Sequence, residues 1–169
     1  MQEIIRFAWG KSSLGDFIVA MTEKGIVALE FASLHTAMES ALRIRFPDAD
    51  LEHNQKELSD VIDTVTSVID NPLNISDLPL DLRGTPYEVE VWQMLREIPI
   101  GETISYGALA AKLGSRDARE VTAAIANNPI AVIVPCHRVI KKDGSISGYR
   151  WGVHRKRALL GREHHFKVQ

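Results

Sequence analysis

The sequence predicts an α/β N-terminal half, residues 1–80, followed by a mainly helical C-terminal half, residues 81–169, built around a helix-turn-helix. Three observations predict this. β-rich runs lie close together before residue 32. A helical apolar spacing follows over residues 55–69. Beyond residue 84 come helical segments with polar start signals at Thr85, at Ser105, and at Ser115 or Asp117.

In chain order, residues 3–9 and 16–31 read as strands. Phe17-Ile18-Val19-Ala20-Met21 and Gly25-Ile26-Val27-Ala28-Leu29-Glu30-Phe31 are joined by the short turn Thr22-Glu23-Lys24. A helix over 33–45 ends before Pro47. The helix over 55–69 carries Leu58, Val61, Ile62, Val65 and Ile69 at helical spacing. Asp70-Asn71-Pro72-Leu73-Asn74 is a loop. Residues 78–82, with Pro79, form a short strand or connector, and the domain boundary falls around residues 77–84. Thr85-Pro86-Tyr87-Glu88 then places Thr at the N-cap, Pro at the first helical position and Glu at N3. Val91, Trp92, Leu95 and Ile98 form that helix's core face, and Pro99-Ile100-Gly101 ends it. A short helix capped by Ser105, a turn at Gly114 and a second helix give the outline of a helix-turn-helix. The same outline fits a plain helical hairpin, and the residues alone leave the two open. Residues 130–134, Ile-Ala-Val-Ile-Val, read as a buried strand that stops at Pro135.

A chain of 169 residues with 45% hydrophobic and 25% charged residues suits one compact domain or two small ones sharing a core. That composition excludes global disorder and collagen-like repeats. No apolar run approaches the ~20 residues needed to span a bilayer. Residues 1–10 carry Glu3 and Arg6 and lack a signal-peptide core. A cytoplasmic protein without a membrane partner is therefore expected. The single cysteine, Cys136, excludes an intrachain disulfide and a Cys-rich zinc site, so no metal is expected.

Charge is divided along the chain. Residues 1–80 hold 6 Lys and Arg against 13 Asp and Glu, and residues 81–169 hold 14 against 9. Between residues 116 and 162 the count is 10 against 3, a net +7. Such a split fits one half meeting a polyanion, or two solvated faces of opposite sign. At ~100° per residue, Val121, Ala124, Ile125 and Asn128 share the core side of the second helix. Arg119, Thr122, Ala123, Ala126 and Asn127 share the other. A solvated face normally carries several long charged side chains; one arginine among small residues suits close approach to something narrow. Lys141, Lys142, Arg155, Lys156 and Arg157 offer a second candidate basic surface.

Cys136 follows Pro135 and precedes His137 and Arg138. An imidazole and a guanidinium would each favour a thiolate if they approached the sulfur, lowering its pKa from ~8.5. The residues alone leave Cys136 either a reagent or core filling.

Pro135-Cys136-His137-Arg138-Val139 is similar to the active-site motif of the O6-alkylguanine-DNA alkyltransferases. The resemblance runs through Arg83-Gly84-Thr85-Pro86, Val91-Trp92, Ile98-Pro99, Gly101-Glu102-Thr103 and Ser105-Tyr106. It continues through Arg119, Asn127-Asn128 and Ser147-Gly148-Tyr149-Arg150-Trp151-Gly152, so it covers about half the chain, residues 81–163. Residues 1–80 match in style, being acidic, mixed α/β and of the length the family uses for a ribonuclease-H-like domain. The resemblance implies a winged-helix-like C-terminal domain, double-stranded DNA as partner, and a monomer.

The resemblance also implies the reaction. An alkylated guanine is flipped out of the duplex, and its O6-alkyl group moves irreversibly to Cys136, with no cofactor. His137 would take the thiol proton through a water, and Glu163 would orient His137. Asn128 would hold the site together. Tyr106 would help flip the nucleotide and donate toward the departing guanine. Tyr149 would line the base pocket, with Ser147, Gly148, Arg150 and Trp151 as its wall. Arg119 would fill the gap left by the base, and Thr122, Ala123, Ala126 and Asn127 would face DNA. A helix-turn-helix alone would point to the major groove. The resemblance implies the minor groove, about 6 Å wide. Some relatives bind zinc in the N-terminal domain through cysteines that this chain lacks.

Two other classes fit parts of the sequence. A non-catalytic damaged-DNA-binding or helix-turn-helix regulatory protein would use the same helix, but known alkyltransferase-like proteins replace the cysteine that this chain keeps. A thiol hydrolase would use Cys136 and His137, but no oxyanion-hole motif is evident and the basic half would go unexplained.

Overall fold

The computed structural model describes residues 2–74, 77–114 and 117–168 and divides into two compact units. The first comprises Met1–Arg83 with Pro129–Ala131; the second comprises Gly84–Asn128 and Val132–Gln169.

The first unit is a four-stranded sheet with helices α1 (His35–Arg45) and α2 (Ser59–Asp70). Its strands are β1 (Ile4–Ser12), β2 (Gly15–Thr22), β3 (Gly25–Phe31) and β4 (Asp50–His53), in the order β3-β2-β1-β4. β1 and β2 pair antiparallel with Phe7 opposite Ala20, β2 and β3 also pair antiparallel, and β4 joins β1 in parallel. Ile5, Phe7, Ile18, Ala20, Val27 and Ala28 form a core with Met38 and Leu42 of α1. Leu58, Ile62, Val65 and Ile69 are also buried, on the stripe that the helical spacing predicts.

β3 is buried at every position, which explains why it reads as a continuous apolar run rather than an alternating one. It lies at the sheet edge, and its outward backbone groups are satisfied by two short segments. Ile26 N donates to Pro79 O (2.8 Å) and Asp81 N donates to Ile26 O (2.8 Å). Further along, Leu29 N donates to Pro129 O (2.9 Å) and Ala131 N donates to Leu29 O (2.8 Å). The first approach requires Gly25: its φ is +146°, and a Cβ there would lie 2.3 Å from Pro79 O. The buried Asp81 carboxylate accepts from Thr22 Oγ1 (2.6 Å) and from Arg83 Nη2 (2.9 Å), and Arg83 Nη1 also donates to Glu3 Oε1 (2.6 Å).

The second unit contains α3 (Pro86–Leu95), α4 (Tyr106–Lys112), α5 (Ala118–Ala126) and α6 (Val153–Val168), with a two-stranded parallel pair of β5 (Ile104–Ser105) and β6 (Val139–Ile140). The capping box at α3 is formed in both directions: Glu88 N donates to Thr85 Oγ1 (3.1 Å) and Thr85 N donates to Glu88 Oε1 (3.0 Å). Trp92, fully buried, donates its indole N–H to Ala124 O (2.9 Å) and so fastens α3 to α5. Ser105 caps α4 and Asp117 caps α5, accepting from Ala108 N and Arg119 N. The other candidate cap, Ser115, lies outside the described residues. On α5, Val121, Ala124 and Ile125 are buried, while Arg119, Thr122, Ala123, Ala126 and Asn127 are exposed, as the helical spacing requires. Among the described residues no helix is long and apolar enough to cross a membrane.

Three elements differ from the sequence expectation. β4, Asp-Leu-Glu-His, is short, acidic and largely exposed, so nothing in its composition announces a strand. α2 begins at Ser59 rather than residue 55. Residues 130–134 are not a strand. Only Ile130 bridges to β3, and Val132 then turns the chain with φ +67°, a left-handed conformation rare for a β-branched residue.

Thr85→Ala should lower stability by about 1 kcal/mol through loss of the cap. Urea unfolding should show a lower midpoint at an unchanged slope; an unchanged midpoint would mean that the box contributes nothing.

Candidate active site

The turn at Val132 and the following Pro135 lead into a single 3-10 turn, Cys136–Arg138, before β6. Its backbone is closed by Cys136 N donating to Val134 O (2.8 Å) and Arg138 N donating to Pro135 O (3.0 Å). Asn128, fully buried at the end of α5, donates to Val134 O (3.0 Å) and also bonds the Cys136 side chain. The thiol itself is 3% exposed. Burial pushes its pKa up to about 11, against the opposing pull of the Asn128 hydrogen bond and the charges of Lys156 and Arg150.

Both residues that follow Cys136 in the turn are bonded to Glu163. A 3-10 turn sends successive side chains in different directions. His137 Nε2 donates to Glu163 Oε2 (2.7 Å). Arg138 donates from Nε to Glu163 Oε1 (2.8 Å), from Nη2 to Oε2 (3.1 Å), and from Nη1 to Ile98 O (2.6 Å). Burial alone would raise the Glu163 pKa, but the His137 and Arg138 hydrogen bonds outweigh it and hold the carboxyl at about 2. Burial drives the His137 pKa down, against the pull of Glu163. The imidazole is therefore neutral at pH 7 with its proton on Nε2. Its buried Nδ1 has no hydrogen-bond partner among the described residues, which leaves that lone pair available as a base.

Cys136 opens on a cavity of about 530 Å³, within the range of small-molecule pockets. Tyr106, Thr122, Ile125 and Ala126 line it from α4 and α5; Lys141, Ser147, Gly148, Tyr149 and Arg150 line it from the following loop. The Tyr106 hydroxyl is hydrogen-bonded to Ser147 Oγ. Trp151 does not line the cavity. It is buried edge-on to Tyr149, with ring centroids 5.3 Å apart, and the Arg150 guanidinium lies 5.2 Å from its ring centre. Arg150 also donates to Asn128 O (2.7 Å), tying the loop back to the end of α5.

Other predicted residues stand apart. Arg119 and Ala123 are exposed on α5 outside the cavity, and the Arg119 side chain, 92% exposed, is paired with Asp117 (3.0 Å). Asn127 donates to Glu88 Oε2 (2.6 Å). Lys156 is no surface cation: it is 1% exposed, and its Nζ donates to Val139 O (2.7 Å) and Ser147 Oγ (3.0 Å). The spacing of Lys156, Leu159 and Glu163, all buried on one face of α6, is the signal that could have placed both charged residues inside.

The model of the ribonuclease-like domain of 6-O-methylguanine DNA methyltransferase matches residues 5–82, and the model of its DNA-binding domain matches residues 86–165. The crystal structure of Mycobacterium tuberculosis O6-methylguanine methyltransferase superposes with a TM-score of 0.77 at 32% identity, covering 95% of this chain and 93% of that one. The chain belongs to the 6-O-methylguanine DNA methyltransferase family. A further family structure, Mycobacterium tuberculosis OGT in complex with DNA, gives a TM-score of 0.78 at 32% identity over the same shares of the two chains. The Escherichia coli bifunctional transcriptional activator/DNA repair enzyme Ada is 44% identical over 160 residues, which is 94% of this chain and 45% of that protein. The Salmonella typhimurium methylated-DNA–protein-cysteine methyltransferase is 54% identical over 81 residues, 47% of each chain. The chain thus spans about half the length of the curated relatives it matches. Its two halves match the family's two domains, so the α/β, ribonuclease-like reading of the first and the DNA-binding-domain reading of the second both hold.

The Glu163 network has a pH signature. A carboxyl held at about 2 against an ordinary 4.5 contributes stability that is complete above 4.5 and lost as pH falls toward 2. The depressed His137 value adds a loss of stability as pH falls below 6.5, where the unfolded chain takes up a proton that the fold refuses. Glu163→Gln should lower stability at pH 7 by ~3–5 kcal/mol, because Arg138 is left uncompensated. It should also flatten the dependence of the urea midpoint on pH between 4.5 and 2. Parallel pH curves for the two proteins would refute this assignment.

Proposed function

We propose that the protein reverses alkylation damage directly: it takes a methyl or small alkyl group from O6 of guanine in DNA onto Cys136, once per molecule. The observation that carries this reading is the placement of the chain's single thiol on the wall of a 530 Å³ cavity, with a neutral imidazole fixed by Glu163 in the same 3-10 turn. Its membership of the methyltransferase family, and the family structure solved with DNA, support the reading.

In this mechanism the alkylated base occupies the cavity, with Tyr149 and the 147–150 loop against it. His137 Nδ1 receives the thiol proton through a water, and Glu163 stabilises the resulting imidazolium. The thiolate attacks the saturated alkyl carbon in line. The C–O6 bond breaks with its electron pair remaining on guanine, and Tyr106 supplies the proton that makes guanine a competent leaving group. The product is a thioether with no easy return path, so no turnover follows. Neither a metal nor an organic cofactor takes part.

The base reaches the cavity by being flipped from double-stranded DNA, at a cost of a few kcal/mol for unstacking. The face of α5 carrying Thr122, Ala123 and Ala126 is smooth enough to enter the minor groove. Arg119 then fills the hole in the stack. Its ion pair with Asp117 is solvent-exposed and screened by water, so release from it is a small barrier.

Incubation with O6-methylguanine duplex should add the mass of one methylene, mapped to the Cys136 peptide. Cys136→Ser should abolish transfer and keep DNA binding. His137→Ala should slow single-turnover transfer by ~10²- to 10⁴-fold, the usual worth of a general base. Catalytic turnover, or alkylation at another residue, would refute the assignment.

Arg119→Ala should slow repair of paired duplex more than attack on free O6-methylguanine, which needs no flipping. Ala123→Lys should obstruct groove entry despite its favourable charge. Undiminished duplex repair by Ala123→Lys would place the DNA-facing surface elsewhere.

A further inference from the structure

Arg119 stands in the first turn of α5, at the positive end of the helix dipole. A cation there opposes the dipole, so helix stability does not explain its place. Asp117 holds it. The carboxylate accepts from Arg119 Nε at both oxygens (3.1 and 3.2 Å) and from Nη2 at Oδ2 (3.0 Å). Its Oδ1 also accepts from the backbone N–H of Arg119 (2.9 Å). Residues two apart within a helix do not face each other. These two meet because Asp117 is the N-cap: its backbone is extended, with φ −122° and ψ 109°, and its side chain turns back over the first turn. One carboxylate therefore closes the start of α5 and also folds the guanidinium against it. Only the first role is needed to start a helix, and a neutral asparagine or serine fills it as well.

We propose that Asp117 is a positioning residue that competes with the duplex for Arg119, and so sets how readily the protein extrudes a paired base. This rests on the reading of Arg119 as the group that fills the emptied stack. A guanidinium inserted between bases cannot keep its bonds to Asp117, so the clamped and inserted states share one side chain. A phosphate approaching α5 draws the guanidinium away and repels the carboxylate. Where extrusion is unfavourable, the rate of transfer follows the population of the inserted state, and the clamp lowers that population.

The test reads single-turnover transfer to Cys136 by intact mass, with O6-methylguanine duplex at saturating concentration. Saturation removes from the rate any change in how strongly DNA is attracted to the surface. Asp117→Asn should transfer faster by about two- to fivefold, which is what a solvent-exposed ion pair supports. Asp117→Ser, which also caps but is too short to clamp, should match it. Both should react with free O6-methylguanine at the wild-type rate, because no base pair is opened there. Glu120→Gln removes the same charge from the same turn of α5 and should give no gain. Combined with Arg119→Ala, Asp117→Asn should add nothing, because the clamp acts only through Arg119. An unchanged duplex rate in Asp117→Asn, an equal gain in Glu120→Gln, or a gain that persists beside Arg119→Ala would overturn the clamp. A wild-type duplex rate in Arg119→Ala alone would overturn instead the stack-filling reading of Arg119. Absence of any mass increase on the wild-type protein would overturn the alkyl-acceptor reading of Cys136.

Discussion

One buried carboxylate holds the reactive centre in shape. Glu163 takes hydrogen bonds from His137 and Arg138 at once, and Arg138 reaches on to the carbonyl of Ile98 just beyond α3. A turn of three residues has too few internal hydrogen bonds to fix its own orientation. It is fixed instead from α6, by a charged group that neither partner can lose without leaving an uncompensated ion in the interior. The ring orientation of His137, and through the shared turn the direction of Cys136, follow from that anchor, while the neutral state of the imidazole follows from its burial. Asn128 and Arg150 complete the enclosure from the end of α5 and from the cavity loop.

The same enclosure creates a tension between burial and reactivity. A thiol with a pKa of about 11 is almost wholly protonated at neutral pH, so it is protected from adventitious electrophiles. For a nucleophile that acts once, as proposed for Cys136, that protection is an advantage. Reactivity then depends on bringing together the electrophile, the His137 lone pair and the charges of Lys156 and Arg150 at the moment of transfer.

How much of this was legible in the sequence depends on the range of the interaction. The capping box at Thr85 and Glu88, the caps at Ser105 and Asp117, and the buried and exposed sides of α5 are local patterns, and they read correctly. Cys136, Tyr106, Ser147 and Tyr149 do share one cavity, but only the family resemblance, not their spacing, brought them together. The apolar run at 130–134 misled because its fate is tertiary: Pro129 and Ala131 bond to Leu29, and Val132 adopts a turn conformation that no propensity favours. β4 exists because β1 offers it an edge, not because Asp-Leu-Glu-His prefers a strand. Lys156 was read as a surface charge because lysine usually is one; its burial rests on acceptors supplied by β6 and the cavity loop, far from it in the pattern of α6.

The burial of Lys156 also changes what the formal charge of the basic segment means. Of the ten cationic side chains between residues 116 and 162, Lys156 is enclosed and Arg138 is committed to Glu163. A polyelectrolyte sheds condensed counterions only to cations that can take their place, at ~0.9 in log–log slope for each phosphate neutralised. The ionic-strength response of any nucleic-acid complex is therefore governed by solvent-facing groups such as Lys141, Lys142 and Arg157. It is shallower than a charge count over the segment would suggest.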